Sequence, residues 1–246
     1  MRLINYSFDD PAENLALEEV LLDRVETGEA EETLRFWESP VRFVVIGTGQ
    51  TLAQEVHIER CQADGIPFLR RCTAGGAVLQ GPGCLNYTLA LRYENWPSFK
   101  SLHTSYATIL ECIADALVHH AITARFEGIC DLALDGGKVS GNAQRRRRNA
   151  MLHHGTLLYR PDYEGMERYL REPEDRPDYR GARNHRDFVG HLPLDPDTLR
   201  VAVCEAFDVA PVSIAHNQPA PTPEELDAAR RLAVEKYRSD AWTRRR

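Results

Sequence analysis

The chain has 246 residues, of which 43% are hydrophobic and 27% are charged, a composition typical of a soluble globular protein with one sizeable core. It has no run of about 18 apolar residues and no apolar N-terminal signal, which excludes a transmembrane helix and predicts a cytoplasmic protein with no membrane partner. The net charge of -7 argues against nucleic-acid binding, and six scattered cysteines without a Cys-x-x-Cys pair predict reduced thiols.

The first third of the chain predicts alternating strands and helices. A helix is expected to begin after Asp10, because Pro11 suits the first helical position and Glu13 completes a capping box. Apolar runs and alternation predict strands, and a shorter periodic stretch predicts a helix. The strands are expected at 2–8, 34–37, 43–46 and 86–93, and the short helix at 56–63.

The remainder of the chain continues this mixture. A long amphipathic helix is predicted from Leu102 to Leu117, and capped helices are predicted after Asp195 and Thr222, with a Pro-rich linker at 217–223. Short strands are expected at 123–126, 131–134, 138–143 and 154–159. Because no strict βαβ rhythm appears, the pattern favours a single α+β domain over 1–246, with a mixed or antiparallel sheet flanked by helices.

The segment Arg70-Arg71-Cys72-Thr73-Ala74-Gly75-Gly76-Ala77-Val78 is the first candidate for chemistry. Small residues let a backbone approach a ligand closely, and exposed amides in such a loop can bind phosphate or carboxylate oxygens. No Gly-Lys-Ser/Thr follows, so the segment is not a P-loop. A tight turn between two strands is the structural alternative.

A second candidate is the hairpin around Lys138, which follows the turn signal Asp135-Gly136-Gly137. If the strand alternates regularly, Lys138, Ser140 and Asn142 share one face and could bind a polar anionic ligand. An exposed hairpin lysine is the alternative, although lysine is scarce in this arginine-rich chain.

Three further polar segments follow. The run Arg145–Arg148 is typical of a solvated patch, although on an acidic protein it could dock a more acidic partner. The pair His153-His154 lacks zinc-ligand spacing, so no metal site is predicted. The loop from Tyr179 to Asp187 could close over a phosphate or form a surface turn.

Taken in order, these segments resemble the lipoate–protein ligase A family within the biotin/lipoate ligase superfamily. Residues 70–78 resemble the family's Arg-Arg-x-Ser-Gly-Gly-Gly-Ala-Val loop, and 137–143 resemble its Lys-Val/Ile-Ser-Gly-Ser-Ala strand. The resemblance covers nearly the whole chain, because further segments match in the family's order. These are 11–19, 34–37, 45–50, 83–87, 153–158 and 236–242.

The resemblance implies a fold like that of class II synthetases and biotin ligases, and a two-step reaction. Lipoate or octanoate attacks ATP to give an acyl-adenylate and pyrophosphate, with Mg²⁺ shielding the triphosphate. A lysine of an acidic lipoyl-carrier domain, of the 2-oxoacid dehydrogenase or H-protein type, then forms an amide and releases AMP.

The resemblance also implies the site residues. Lys138 is the expected catalytic residue, donating to the acyl carbonyl or the α-phosphate, where negative charge grows. The expected substrate and nucleotide site consists of Arg70, Arg71, Thr73, Gly75, Gly76, Ala77, Asn86, Asp131, Ser140, Gly141, His154, Gly155, Thr156, Arg183 and His185.

The chain departs from the family pattern at several positions. Ala74 replaces a common glycine, Gln80 a common histidine, and Cys84 and Cys130 common asparagines. The small C-terminal accessory domain of many ligases is expected to be absent. Some relatives carry it as a separate polypeptide, which makes it a possible partner.

Two alternative functions stay open at this point. An octanoyltransferase or amidotransferase on the same fold would use a cysteine thioester and no ATP, with Cys72, Cys84 and Cys130 as candidates. A non-catalytic acyl- or carrier-binding protein is the other alternative, and the intact Lys138 motif argues against it.

Overall fold

The computed structural model describes residues 1–211 and 220–245, and its strands confirm the predicted α+β class. The strands are β1 (Arg2–Asn5), β2 (Thr33–Trp37), β3 (Phe43–Ile46), β4 (Phe68–Arg70), β5 (Val78–Gln80), β6 (Cys84–Arg92), β7 (Arg125–Glu127), β8 (Asp131–Leu134), β9 (Gly137–Arg146) and β10 (Ala150–Leu158).

The strands form two sheets. The larger has the order β1-β2-β6-β10-β9-β8-β7, and β4-β3-β5 form the smaller. Parallel pairs join β1 to β2 and β3 to β4, whereas the other neighbours are antiparallel. The predicted mixed sheet is therefore confirmed.

Helices flank both sheets. They are α1 (Pro11–Thr27), α2 (Leu52–Glu55), α3 (Ile58–Ala63), α4 (Leu102–Val118), α5 (Tyr163–Tyr169), α6 (His185–Phe188), α7 (Pro196–Ala206), α8 (Pro223–Leu232) and α9 (Asp240–Thr243), with 3₁₀ turns at Pro97–Lys100 and Asp178–Arg180 and a π-helical turn at Ala233–Tyr237. Within the described ranges, no helix is long and apolar enough to cross a membrane.

The helix ends mostly follow the predicted capping. The Asp10 side chain accepts from the Ala12 amide at 2.7 Å, and Thr222 and Glu225 form the predicted capping box of α8. The capping box predicted for α1 is wrong, because the Glu13 carboxylate pairs with Arg238 at 2.8 Å.

Other predicted boundaries needed correction. The helix predicted at 56–63 is α3 and begins at Ile58, since Val56 pairs with Leu170, and the preceding α2 was not predicted. The first strand ends at Asn5 rather than residue 8, and α5 and α6 were not predicted. Of the predicted linker at 217–223, residues 217–219 lie outside the described residues.

The larger sheet has a hydrophobic core on each of its faces, and the smaller sheet packs a further cluster with α3 and α5. One face packs against α4 and α7, with Leu89, Ile109 and Val203 in that cluster. Helix α1 covers the other face, where Leu22 contacts the cluster containing Leu152, and α8 covers α1 in turn. Because α1 is enclosed on both sides, a buried polar side chain on it needs a partner inside the protein.

Candidate active site

The predicted glycine loop connects β4 to β5 and is folded around the Arg71 guanidinium. Arg71 Nη2 donates to the carbonyls of Ala74 at 2.7 Å and Gly76 at 2.9 Å, and Nε donates to Thr73 Oγ1 at 2.9 Å. Gly75 has φ = 92°, which a residue with a side chain adopts only with strain. These bonds draw the loop carbonyls inward and leave residues 74–76 exposed.

Arg71 itself is only 6% exposed, and its Nη1 has no hydrogen-bond partner among the described residues. Burial lowers the pKa of Arg71 to about 10, against the opposing effect of the nearby Glu18 charge. The guanidinium therefore stays charged at neutral pH. A buried charged donor of this kind is well suited to a carboxylate or phosphate oxygen.

The position after β3 requires a glycine, Gly47, because the glycine loop packs directly against it. A Cβ at this position would collide with the carbonyl oxygen of Gly75. The Thr48 amide also donates to the Thr73 carbonyl at 2.7 Å. The turn after β3 is therefore the support on which the glycine loop rests.

We expect Gly47→Ala to displace the glycine loop. The added methyl group meets backbone rather than a flexible side chain, so the overpacking should cost about 1–3 kcal/mol of stability and reduce activity. Gly49→Ala is the matched control, since a Cβ there meets no atom of residues 1–211 or 220–245 within 4 Å. Urea unfolding and activity of both variants measure the effect, and equal behaviour of the two would contradict the supporting role.

Lys138 lies at the start of β9 and is held by an ion pair. Its Nζ is 2.8 Å from Asp131 Oδ1, and the Tyr179 hydroxyl donates to Asp131 Oδ2 at 2.8 Å. The lysine side chain is 27% exposed, so it is oriented without being removed from solvent. A Cβ at Gly141 would lie 2.9 Å from Nζ, which explains that glycine as space for the lysine.

The prediction that Lys138, Ser140 and Asn142 share one face is wrong for the lysine. The register between β8 and β9 shifts between Leu132 and Ala133, so that Leu132 opposes Ser140 while Ala133 opposes Lys138. This bulge carries Lys138 to the face of Gly141.

Ser140 and Asn142 face the α4 side of the sheet instead. Ser140 is fully buried, and Asn142 Oδ1 accepts from the Tyr87 hydroxyl at 2.6 Å. A Cβ at Gly155 would collide with Asn142 Oδ1. Ser140 and Gly155 therefore pack inside the sheet, and their predicted role in substrate binding stays a prediction.

The two motifs meet on one face of β9. A Cβ at Gly75 would lie 2.9 Å from Arg71 Nη2 and 3.8 Å from the Ala143 Cβ. Ala143 is two residues beyond Gly141, which faces Lys138. The structure thus brings the glycine loop, with Ala77 at its half-buried end, to the same sheet face as Lys138.

Asn86 and Thr156 form a closed network with Gln80. Gln80 Nε2 donates to Asn86 Oδ1 at 3.0 Å and to Thr156 Oγ1 at 2.7 Å, and Thr156 Oγ1 donates to Asn86 Oδ1 at 2.8 Å. These bonds fasten β5 to the larger sheet. Asn86 and Thr156 therefore support the loop from behind.

His154 connects the loop to helix α1. Its Nε2 is 2.8 Å from Thr73 Oγ1, and its Nδ1 is 2.8 Å from Glu18 Oε2. The other oxygen of Glu18 accepts from Trp37 Nε1 at 3.1 Å and from Thr88 Oγ1 at 2.7 Å. Glu18 is 1% exposed, so this carboxylate is satisfied entirely within the protein.

Glu18 was missed by the sequence reasoning. Burial alone would raise its pKa, but the charge and hydrogen bond of His154 and the charge of Arg35 outweigh burial and lower the pKa. The sequence did contain a signal for its burial. Glu18 lies three residues after Leu15 and four before Leu22, which places it on the apolar face of α1, where both leucines are buried.

Arg70, which the sequence predicts to bind ligand, directs its guanidinium at backbone carbonyls of the protein. It is fully buried and donates to the carbonyls of Gly47 at 3.0 Å, Gln50 at 2.7 Å and Thr243 at 2.9 Å. The Trp242 indole donates in return to the Arg70 carbonyl at 2.8 Å. Arg70 therefore joins the C-terminal segment to the turn that supports the glycine loop.

Two other side chains predicted to bind substrate, those of Arg183 and His185, also contact groups of the protein. Arg183 donates to the Gly136 carbonyl at 2.8 Å, at the turn preceding Lys138. His185 is 9% exposed and its Nδ1 is 2.8 Å from Glu172, while burial lowers its pKa. Arg183 therefore borders the lysine hairpin, whereas His185 is a packing residue of α6.

The run Arg145–Arg148 is not a uniformly solvated patch. Arg146 donates to Gln144 at 2.9 Å, and Arg147 pairs with Asp23 at 2.7 Å. Arg148 is exposed, and Arg145 has a buried Nε without a partner in the described part of the chain. Only these two remain for an external partner.

Burial disfavours the thiolate form of the cysteines near the motifs. Burial raises the pKa of Cys72 and of Cys84 to about 12, and burial and the Asp131 charge raise the pKa of Cys130. A thioester mechanism requires a thiolate, which these environments disfavour. All six cysteines lie in the described ranges and are free thiols.

The fold and this site define a catalytic domain of the lipoyl ligase class. The chain belongs to the lipoyl protein ligase A/B catalytic domain family, whose sequence profile matches residues 10–205. The family resemblance inferred from the two motifs is therefore confirmed.

Both activities of this family appear among the similar proteins. Lipoate-protein ligase LplJ of Bacillus subtilis is 27% identical over 188 residues, covering 76% of this chain and 54% of LplJ. Octanoyltransferase LipM of Halalkalibacterium halodurans is 25% identical over 276 residues, covering 100% of this chain and 99% of LipM. The chain spans about half the length of the ligase and nearly the full length of the transferase.

A solved lipoate-protein ligase A bound with ATP superposes with a TM-score of 0.81 at 23% identity, covering 98% of this chain and 97% of that one. At this identity the likeness establishes the fold. Family and fold together place the chain in the family that contains the lipoate ligases and octanoyltransferases.

Proposed function

We propose that the protein is a lipoate–protein ligase, which activates lipoate or octanoate with ATP and transfers the acyl group to a lysine of a lipoyl-carrier domain. One observation carries the proposal. Two cations, Arg71 with its unpartnered Nη1 and the oriented Lys138, lie on one sheet face beside an exposed glycine loop. Such an arrangement suits a reaction in which phosphate and carbonyl oxygens gain negative charge.

In the first step, a carboxylate oxygen of the acid attacks the α-phosphorus of ATP. The bond between the α-phosphorus and the bridging oxygen breaks, and pyrophosphate leaves. Arg71 and Lys138 are suited to stabilise the charge on the α-phosphate oxygens, while exposed Gly75 and Gly76 permit close approach of the adenylate. The increase in reaction rate comes from positioning the acid and ATP, because no protein nucleophile is needed.

In the second step, the neutral amine of the carrier lysine attacks the acyl carbonyl carbon. The tetrahedral intermediate places negative charge on the carbonyl oxygen, to which Lys138 can donate. Collapse breaks the bond to the phosphate oxygen, giving an amide and AMP, and the amine releases a proton to solvent.

Magnesium is proposed to enter with the triphosphate. Within the described ranges, no group of three or more His, Cys, Asp or Glu side chains could hold a metal ion. Asp131, the acid nearest Lys138, uses one oxygen for Lys138 and the other for Tyr179. The residues present do not form a resident magnesium site, and the steps above do not depend on one.

An octanoyltransferase is the second candidate, favoured by the similarity to LipM over the full length of both chains. That reaction would move an octanoyl group from one carrier to another without ATP. The raised pKa values of Cys72, Cys84 and Cys130 weigh against a thioester on these residues.

An assay of carrier acylation with and without ATP and Mg²⁺ tests the choice. We expect acylation from free lipoate or octanoate to require both, and to survive Cys→Ser at 72, 84 and 130, with unfolding midpoints checking that each variant is folded. A candidate accessory domain is added in a parallel series. Transfer from octanoylated carrier without ATP, abolished by one of these changes, would establish the transferase, whereas adenylate binding without turnover would establish a non-catalytic binder.

The proposed carrier is an acidic lipoyl domain that docks at Arg145 and Arg148. We expect the double variant Arg145→Ser/Arg148→Ser to raise the KM for carrier about threefold or more and to weaken its salt dependence. Pyrophosphate release without carrier should not change. The control is Arg230→Ser/Arg231→Ser, an exposed pair on α8, and an equal effect of both double variants would contradict the assignment.

A further inference from the structure

A continuous chain of hydrogen bonds runs from the buried carboxylate on α1 to the guanidinium inside the glycine loop. Its three links are Glu18 Oε2 to His154 Nδ1 at 2.8 Å, His154 Nε2 to Thr73 Oγ1 at 2.8 Å, and Arg71 Nε to Thr73 Oγ1 at 2.9 Å. The chain joins α1, β10 and the loop. Each of these elements therefore constrains the other two.

With His154 in its neutral form, where one ring nitrogen donates and the other accepts, the direction of each bond follows from the partners. The ionised Glu18 can only accept, so His154 carries its proton on Nδ1. In the neutral imidazole Nε2 is then an acceptor, and the Thr73 hydroxyl must donate to it. The Thr73 oxygen in turn accepts from Arg71 Nε, which also donates to the Ala74 carbonyl at a longer distance of 3.2 Å. In this form of His154, all donors point from the guanidinium towards the carboxylate.

This series of hydrogen bonds acts on the glycine loop through Arg71. The Nε of Arg71 is oriented by Thr73, while Nη2 of the same planar group holds the carbonyls of Ala74 and Gly76. Rotating the guanidinium would consequently move the exposed part of the loop and redirect Nη1. The fully buried Thr73 cannot reach a ligand itself, so its effect must pass through Arg71.

We propose that Glu18 is a positioning residue, which acts through His154 and Thr73 to orient Arg71 and fix the catalytic form of the glycine loop. The expected loss of kcat in adenylate formation rests on the proposed function. Its structural part, the imidazole tautomer imposed by Glu18, is independent of which acyl-transfer reaction the enzyme performs. Glu18, His154 and Thr73 form a unit whose loss should lower kcat rather than only stability.

Two Thr→Val changes offer a matched comparison. Thr73 and Thr88 are both buried, at 0% and 1% exposure, and both belong to the Glu18 network. Thr73 transmits the orientation to Arg71, whereas Thr88 donates only to the far oxygen of Glu18. We expect Thr73→Val to lower kcat of adenylate formation roughly tenfold or more and Thr73→Ser to restore it to within about threefold. Thr88→Val should stay within about twofold of wild type despite a similar loss of stability.

The ring-nitrogen chemical shifts of His154 supply a readout that does not depend on turnover. In the wild type they should report the Nδ1–H tautomer, and Glu18→Gln should mix the tautomers and lower kcat roughly tenfold. If the wild type proves not to consume ATP, the proposed ligase function fails, and the same kcat ratios are read from carrier-to-carrier transfer. An unchanged tautomer in Glu18→Gln, or equal effects of Thr73→Val and Thr88→Val on kcat, would overturn the positioning role.

Discussion

Lys138→Ala is expected to fold normally and to lose roughly a hundredfold or more in both adenylate formation and transfer. The side chain is 27% exposed and forms one ion pair, with Asp131, so its removal leaves little unsatisfied in the interior. The loss of a charged donor to the transition state corresponds to about 3 kcal/mol. Pyrophosphate release measures the first step, and the mass increase of the carrier measures the second.

Lys100→Ala is the matched control, because Lys100 is an exposed lysine of the 3₁₀ turn Pro97–Lys100. Its rates should equal those of the wild type. Near-normal rates in Lys138→Ala would remove this lysine from the chemistry, and loss of only the second step would restrict its role to the acyl carbonyl.

The sequence predicted the architecture well where the local pattern agreed with the tertiary environment. The amphipathic period predicted α4 to within one residue at its C-terminal end, and the strand at 131–134 was predicted with its observed bounds. The short α5 and α6 carry too few turns for a periodic signal, so their formation depends on tertiary packing.

The site was predicted less completely, because side-chain direction depends on details that periodicity does not contain. A register shift near Ala133 places Lys138 on the face opposite to that of Ser140. The residue pattern of β9 does not predict this bulge. Glu18 acquires its role only when the fold brings His154 and Thr88 to it from β10 and β6. The motif residues were found, but their division into ligand-facing and supporting groups required the three-dimensional contacts.

The adjacent arginines of the glycine-loop motif illustrate this division and lead to a paired prediction. Arg70→Met should lower the free energy of unfolding by about 3 kcal/mol, because backbone carbonyls of Gly47, Gln50 and Thr243 lose a buried charged donor. Arg71→Met should cost only about 1 kcal/mol, since the carbonyls it releases belong to the exposed loop and can bond to water.

The activities should fall in the opposite order. At a temperature where both variants are folded, Arg71→Met should lose roughly a hundredfold in pyrophosphate release, because it removes a charged donor suited to the α-phosphate. Arg70→Met should lose much less, since that side chain bonds to protein carbonyls behind the loop. Urea unfolding and adenylation rates measured on the same preparations separate the two effects. A large activity loss in folded Arg70→Met, together with a mild one in Arg71→Met, would reverse the assignment and make Arg70 the ligand-binding arginine after all.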